Sequence, residues 1–156
     1  MSVTAYWYSK GIKHLLSGDV IWKTSGGTTI KVALMTSSWA GTDQDTAEYW
    51  SDLSTYEVAA AGNYVRIGTG VGKDLTITTP TNTLNVTYMA ADDTSVWAAS
   101  TITARYAAIV AWKTTSADSP VIGWVDFGAD QSSSNGNFTV DWAANGLFSL
   151  TATDRG

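Results

Sequence analysis

S-T-I-T-A-R-Y-A-A-I-V-A-W at 100–112, S-P-V-I-G-W-V-D-F-G at 119–128 and S-S-S-N-G-N-F-T-V-D-W-A-A-N-G-L-F-S-L at 132–150 carry four β-type runs cut by turn residues. β-branched and aromatic side chains recur with a period of two, the spacing of a pleated strand. The runs are 102–112, 121–127, 137–142 and 147–152, the last two separated by Ala144-Asn145-Gly146. Trp112 continues the face of Tyr106 and Val110, and Trp142 the face of Phe138 and Val140, which places both in the core. Trp124 is out of phase with Val121, Val125 and Phe127, so its strand is apolar on both faces. Such a strand is central in a sandwich or is covered by a partner. Hardly a side chain in this half of the chain could do chemistry.

Working back from residue 100, the β pattern persists to about residue 56. Further strands are read at 20–23, 28–35, 57–58, 64–67, 74–79 and 84–88, with Ser25-Gly26-Gly27, Ala61-Gly62-Asn63 and Pro80-Thr81-Asn82 as turns. Ile30, Val32 and Leu34 share one face; Leu75 and Ile77 point inward, as do Leu84, Val86 and Tyr88. One helix is expected at 5–16, where Tyr8, Ile12, Leu15 and Leu16 follow helical spacing and Ser17-Gly18-Asp19 stops the pattern. Gly11 sits awkwardly in its middle. Residues 37–55 are a long irregular stretch, with one helical turn at 45–50. The fold class expected is all-β: an antiparallel β-sandwich or barrel-like sandwich with one short N-terminal helix. It is one domain, 1–156, with 1–18 as an assembly arm or helix.

Charged residues make up 15% of the 156, against about a quarter in ordinary domains. Ser, Thr, Gly and Ala fill the difference, as suits a chain packed against neighbours or a sheet whose solvent faces are Thr and Ser. The net charge is −5 and the nine basic residues are scattered, which argues against nucleic acid. There is no cysteine, so neither a disulfide framework nor a thiolate metal site can form. The N-terminus lacks the basic and apolar regions of a signal peptide, and no apolar run is long enough to span a membrane. A soluble protein made in a cytoplasm is expected.

No catalytic constellation emerges. His14 is the single histidine, without a G-x-S-x-G element, and reads as structural or surface-lying. Asp43, Asp45, Glu48, Asp92 and Asp93 could offer oxygens to calcium, but lack the D-x-D-x-D-G loop and read as solvated turn acids. No two of the fourteen acids stand out as a glycosidase pair. Gly68, Gly70 and Gly72 before Lys73 lack phosphate-loop spacing and read as a bend. No cofactor is expected. The eight tryptophans are the remaining signal. Trp39, Trp50 and Trp97 fall in loops beside acids, as interface anchors, sugar platforms or plugs closing the ends of the sandwich.

Six segments, in order, resemble a family of small structural proteins encoded among the head and tail genes of tailed bacteriophages. They are Y-W-Y-S-K-G-I-K-H-L-L-S-G-D (6–19), I-K-V-A-L-M-T-S (30–37), D-Q-D-T-A-E-Y-W-S-D-L-S (43–54), S-T-I-T-A-R-Y-A (100–107), P-V-I-G-W-V-D-F-G (120–128) and S-S-N-G-N-F-T-V-D-W (133–142). Residues 65–73 depart from the family's pattern. The resemblance implies a non-enzymatic virion protein with no catalytic residues to carry over. It implies a capsid decoration (cement) protein that binds the major capsid protein, or else a head–tail or tail component. Self-association is implied too, and a trimer would match a lattice threefold. Contacts are expected from the N-terminal segment and the 39–50 loop, through Tyr6, Trp7, Tyr8, Ile12, Trp39, Tyr49 and Trp50, with Trp97 beside them. The competing expectation is a glycan-binding sandwich that stacks sugars on Trp39, Trp50 and Trp97.

Overall fold

The structure, a computed structural model, describes residues 4–41, 43, 45–69, 71–91, 95–143 and 146–153. Asp92, Asp93, Ala144, Asn145 and Gly70 lie outside the described residues. The strands are β1 (Thr4–Trp7), β2 (Thr29–Met35), β3 (Lys73–Asp74), β4 (Thr81–Thr83), β5 (Val86–Met89), β6 (Ser95–Trp112), β7 (Val121–Val140) and β8 (Phe148–Thr151). The helices are α1 (Ser9–Leu16) and the single turn α2 (Trp50–Leu53). Two antiparallel sheets result, one ordered β1-β7-β6-β2-β3 and the other β4-β5-β8. The all-β class with a short N-terminal helix is what the chain adopts. No described helix is long and apolar enough to cross a membrane.

β6 and β7 form one long hairpin, where the sequence pattern suggests shorter pieces. Turn residues inside the strands are absorbed as β-bulges. The register slips between Trp97 and Ser100 and slips back between Ser100 and Ile102, around Ala99 (φ +46°) and Asn135 (φ +49°). Ser100, fully buried, knits this double bulge. Its hydroxyl donates to the Trp97 carbonyl at 2.9 Å, and its own carbonyl accepts from the Ser133 hydroxyl at 2.9 Å. A further slip between Ala104 and Tyr106 changes the parity of β6. Ile102 and Ala104 therefore share a core with Ala107, Ile109 and Ala111.

The five-stranded sheet is covered on both faces by its own chain, which accounts for the doubly apolar strand around Trp124. On one face Ile30, Val32, Leu34, Ile109, Ile122 and Val125 pack in one cluster with Met89 and Phe148 of the smaller sheet and with Leu147 just before β8. Phe148 lies so close to Gly123 that a Cβ there would come within 2.4 Å of the ring. On the other face Ala33, Met35, Ala108, Val110 and Trp124 are roofed by Trp39, Ala47, Trp50, Leu53 and Ile67. The long irregular stretch is thus a third, covering layer.

Several expected elements differ. Residues 5–7 are strand, because alternation sends Tyr6 to one face of the sheet and Trp7 to the other, and the helix starts only at Ser9. Leu16 is exposed, whereas Gly11 and His14 are buried. A Cβ on Gly11 would lie 2.6 Å from the Val121 and Ile122 carbonyl oxygens, so glycine sets how closely α1 docks on β7. The 1–18 segment, where described, is therefore built into the sheet. Residues 20–23, 57–58 and 64–67 form no strands, only isolated pairings such as Met35 with Glu57 and Ala61 with Tyr64. Thr81 and Asn82 belong to β4, and the turn is Leu84-Asn85, which leaves Leu84 92% exposed rather than inward. Trp112 and Trp142 are half-buried at the core margins.

Candidate interaction surface

Cross-strand register builds one surface from residues far apart in sequence. Tyr6, Trp124, Ala108 and Ala33 stand in one row across β1, β7, β6 and β2, and Thr4, Asp126, Tyr106 and Met35 in the next. The two alanines leave space above the sheet, and Trp39 from the covering layer fills it. Its ring meets Trp124 edge-on at 4.9 Å and Tyr106 edge-on at 5.0 Å. Tyr6 stacks on Trp124 at 4.3 Å, with an interplanar angle of 19°. Trp124 is 6% exposed and Tyr6 is 41% exposed, so the ladder has a buried body and an accessible end.

An ion pair borders the ladder. Arg105 donates from Nε to Asp126 Oδ1 at 2.7 Å and from Nη2 to Oδ2 at 3.2 Å, the two-point geometry that suits guanidinium and carboxylate. The Gly128 amide donates to Oδ1 at 2.7 Å. These bonds, Arg105's first, hold the Asp126 carboxyl below the usual carboxylate range. The Arg105 guanidinium also lies 5.4 Å from the centre of the Tyr106 ring. An exposed tyrosine locked on a buried tryptophan beside a fixed arginine has the make-up of a protein-binding hot spot.

Of the residues expected to make contacts, only Tyr6 lies on this surface with its ring open. Trp7 is half-buried between the sheets, stacked on Phe148 at 4.3 Å and donating to the Ser149 carbonyl at 3.2 Å. Ile12 is half-buried on α1, and Tyr49 half-buried beside the His14 ring. Tyr8, Trp39, Trp50 and Trp97 are buried. Trp97 sits in the main core against Tyr64 and Phe138, and the other three in the covering layer. Trp97 is a strand residue of β6 and Trp50 opens α2 rather than lying in loops, and all three rings, Trp39 included, are packed inside the protein instead of being presented at its ends or surface. Sequence pattern alone missed Arg105, Tyr106, Trp124 and Asp126. Their shared face follows from a register that only the folded pairing fixes.

Two ionic clusters brace the layers. His14 lies between two carboxylates, Nδ1 at 2.6 Å from Asp19 Oδ2 and Nε2 at 2.9 Å from Glu48 Oε1. Lys13 also holds Glu48, and Lys113 holds Asp19. Both carboxyls sit below their usual range, mainly through those lysine bonds. With both nitrogens engaged, His14 is a bracket between α1 and the covering layer. Glu48, offered above as a calcium ligand, is taken by basic side chains, and among the described residues no three acidic, His or Cys groups are arranged to hold a metal ion. Glu57 is buried and accepts from Tyr64 Oη at 3.0 Å, the Ile67 amide at 2.8 Å and Arg66 Nε at 3.1 Å. Burial nevertheless pushes its carboxyl up. Between the covering layer and the sheet, four buried donors have no hydrogen-bond partner among the described residues: Tyr8 Oη and the indole nitrogens of Trp39, Trp50 and Trp124.

No protein-family model, no curated protein and no solved structure matches this chain.

Proposed function

We propose that this chain is a non-enzymatic structural protein of a tailed-bacteriophage virion, a decoration protein that binds the assembled head through the Tyr6 surface. The observation that carries the reading is the Tyr6–Trp124–Trp39 ladder bordered by the Arg105–Asp126 pair. It is a rigid, part-apolar patch whose open end needs little ordering on contact, and preorganisation of this kind lowers the cost of binding. The low charge of the chain and the sequence resemblance support the same reading. Many copies on one shell would give avidity from individually weak contacts. In this reading the protein is made in the host cytoplasm and ends in the virion, with the major capsid protein and further copies of itself as partners. The test is co-sedimentation of purified protein with tailless heads and, separately, with tails of the parent phage. Retention by heads, reduced at least about tenfold by Tyr6→Ser, supports the reading. Retention by tails alone would move the protein to the tail, and retention by neither would remove it from the virion surface.

A further inference from the structure

β1 is the outermost strand of the larger sheet, so only one of its edges is paired. The Tyr8 amide donates to the Ile122 carbonyl at 3.0 Å, one step beyond the Trp7–Gly123 pair. Opposed residues of an antiparallel ladder alternate between hydrogen-bonded and non-hydrogen-bonded pairs. Tyr6–Trp124 is therefore a hydrogen-bonded pair, and the amides and carbonyls of Ala5 and Trp7 point outward, away from β7. Open edges are ordinarily guarded by charge, proline, a bulge or extreme shortness. β3, at the far edge, is two residues long and both are charged, and β4 directly follows Pro80. β8, the remaining edge, has its Ser149 carbonyl taken by the Trp7 indole at 3.2 Å. Thr4-Ala5-Tyr6-Trp7 has no charge, no proline and no bulge in its pairing with β7.

A groove of about 330 Å³ lies at this edge, lined among others by Ala5 and Trp7 of β1 and by Tyr88, Phe148 and Ser149 of the smaller sheet. Its lining is part polar and part apolar, and none of the lining residues is charged. The stack of Trp7 on Phe148 and the indole bond to Ser149 hold the edge in place. An extended peptide has the matching make-up, with amides and carbonyls along its edge and side chains alternating between its two faces. Laid beside β1, it would meet the outward groups of Ala5 and Trp7. One set of its side chains would face the groove, and the other would lie beside the Tyr6 ring, which is 41% exposed.

We infer that the partner of the Tyr6 surface docks by adding an uncharged, extended strand to the open edge of β1, with an apolar side chain in the groove between β1 and β8. The inference rests on the head-binding reading and deepens it: the added strand belongs to the capsid. Strand addition takes its affinity from main-chain hydrogen bonds and its selectivity from pockets for alternate side chains. Both parts are present here, as the outward backbone of Ala5 and Trp7 and as the groove beside them. Strand addition also accounts for an edge that carries none of the usual guards.

The test compares Ala5→Pro with Ala5→Ser in the full chain. Because the Ala5 amide points outward, proline removes no bond to β7, and edge positions of this kind tolerate it. Proline deletes the donor and sets its ring in the path of an incoming strand, whereas serine keeps the amide. Retention of Ala5→Pro by tailless heads is expected at least about tenfold below that of Ala5→Ser, with the circular dichroism of the two alike. Equal retention of the two variants would overturn the inference and leave the head-binding reading standing. A second arm adds an acetylated and amidated Thr-Val-Thr-Val-Thr-Val peptide to the wild type, at about millimolar concentration, and follows backbone amide shifts by NMR. Shifts at Trp7 and Ser149 that Ala5→Pro abolishes are the expected result. If heads retain neither the wild type nor the variants, the head-binding reading falls and the peptide decides the rest. Those shifts would then support strand addition on their own, and their absence would overturn it.

Discussion

Asp126 and Glu57 show how one residue type takes opposite roles. Asp126 is held ionised by Arg105, so its folded pKa lies below its unfolded one. Its contribution is present above the unfolded carboxylate range, near 3.9, and is lost as pH falls through the folded value. Glu57 is raised by burial, so its contribution is present below the unfolded range and lost as pH rises through the folded value. Urea midpoints measured from acid to neutral pH should therefore move apart in two directions. Asp126→Asn falls behind the wild type as pH rises, and Glu57→Gln gains on it. Curves parallel to the wild type in either variant would contradict these assignments. Neither carboxyl could be singled out among fourteen acids, because pairing and burial, rather than spacing, distinguish them. Tyr6 could be picked out only as one aromatic of the N-terminal segment; that it stands exposed on β1, stacked on Trp124, depends on a pairing between residues 118 positions apart.

At the scale of elements, alternation carried the strands it could reach. β2, the inner halves of β6 and β7, and β8 follow from period-two patterns. The full hairpin did not, because compensating bulges at Ala99 and Asn135 break the alternation while preserving the faces. Ser100→Ala should cost about 1–3 kcal/mol in urea unfolding, since it strips the buried hydroxyl from that double bulge. Gly11 in α1 was legible only as a weakness. By helix propensity alone, Gly11→Ala should stabilise by roughly 1 kcal/mol. Docking against the Val121 and Ile122 carbonyls predicts the opposite sign, a loss of roughly 1–3 kcal/mol. A stabilised variant would show that α1 does not seat there. The covering layer has irregular backbone, and its contact with the sheet buries four donors that have no partner among the described residues, each costing about 1–3 kcal/mol to bury. It should open before the sheet does. Hydrogen exchange followed by NMR should show the Trp39 and Trp50 indole protons exchanging faster than the β6 amides at 107–111, and equal rates would argue against a separate layer.

At the scale of the molecule, three layers are built from one chain: a small sheet, a five-stranded sheet apolar on both faces, and a roof of loop and short helix. The all-β class was legible because strand periodicity is local. The layering was not, because it depends on which face of β7 the 39–53 segment covers. Eight tryptophans in an acidic, weakly charged chain looked like a binding signature. Five of them (Trp22, Trp39, Trp50, Trp97 and Trp124) are buried, and what they leave at the surface is Tyr6 with its buried support. The proposed role rests on that surface meeting a shell of capsid subunits. Cryo-electron microscopy of tailless heads incubated with purified protein tests it most directly. The account predicts added β-sheet density on the outer shell, with Tyr6 and the Arg105–Asp126 pair turned toward the capsid. Heads without added density, or bound copies with Tyr6 facing solvent, would contradict it.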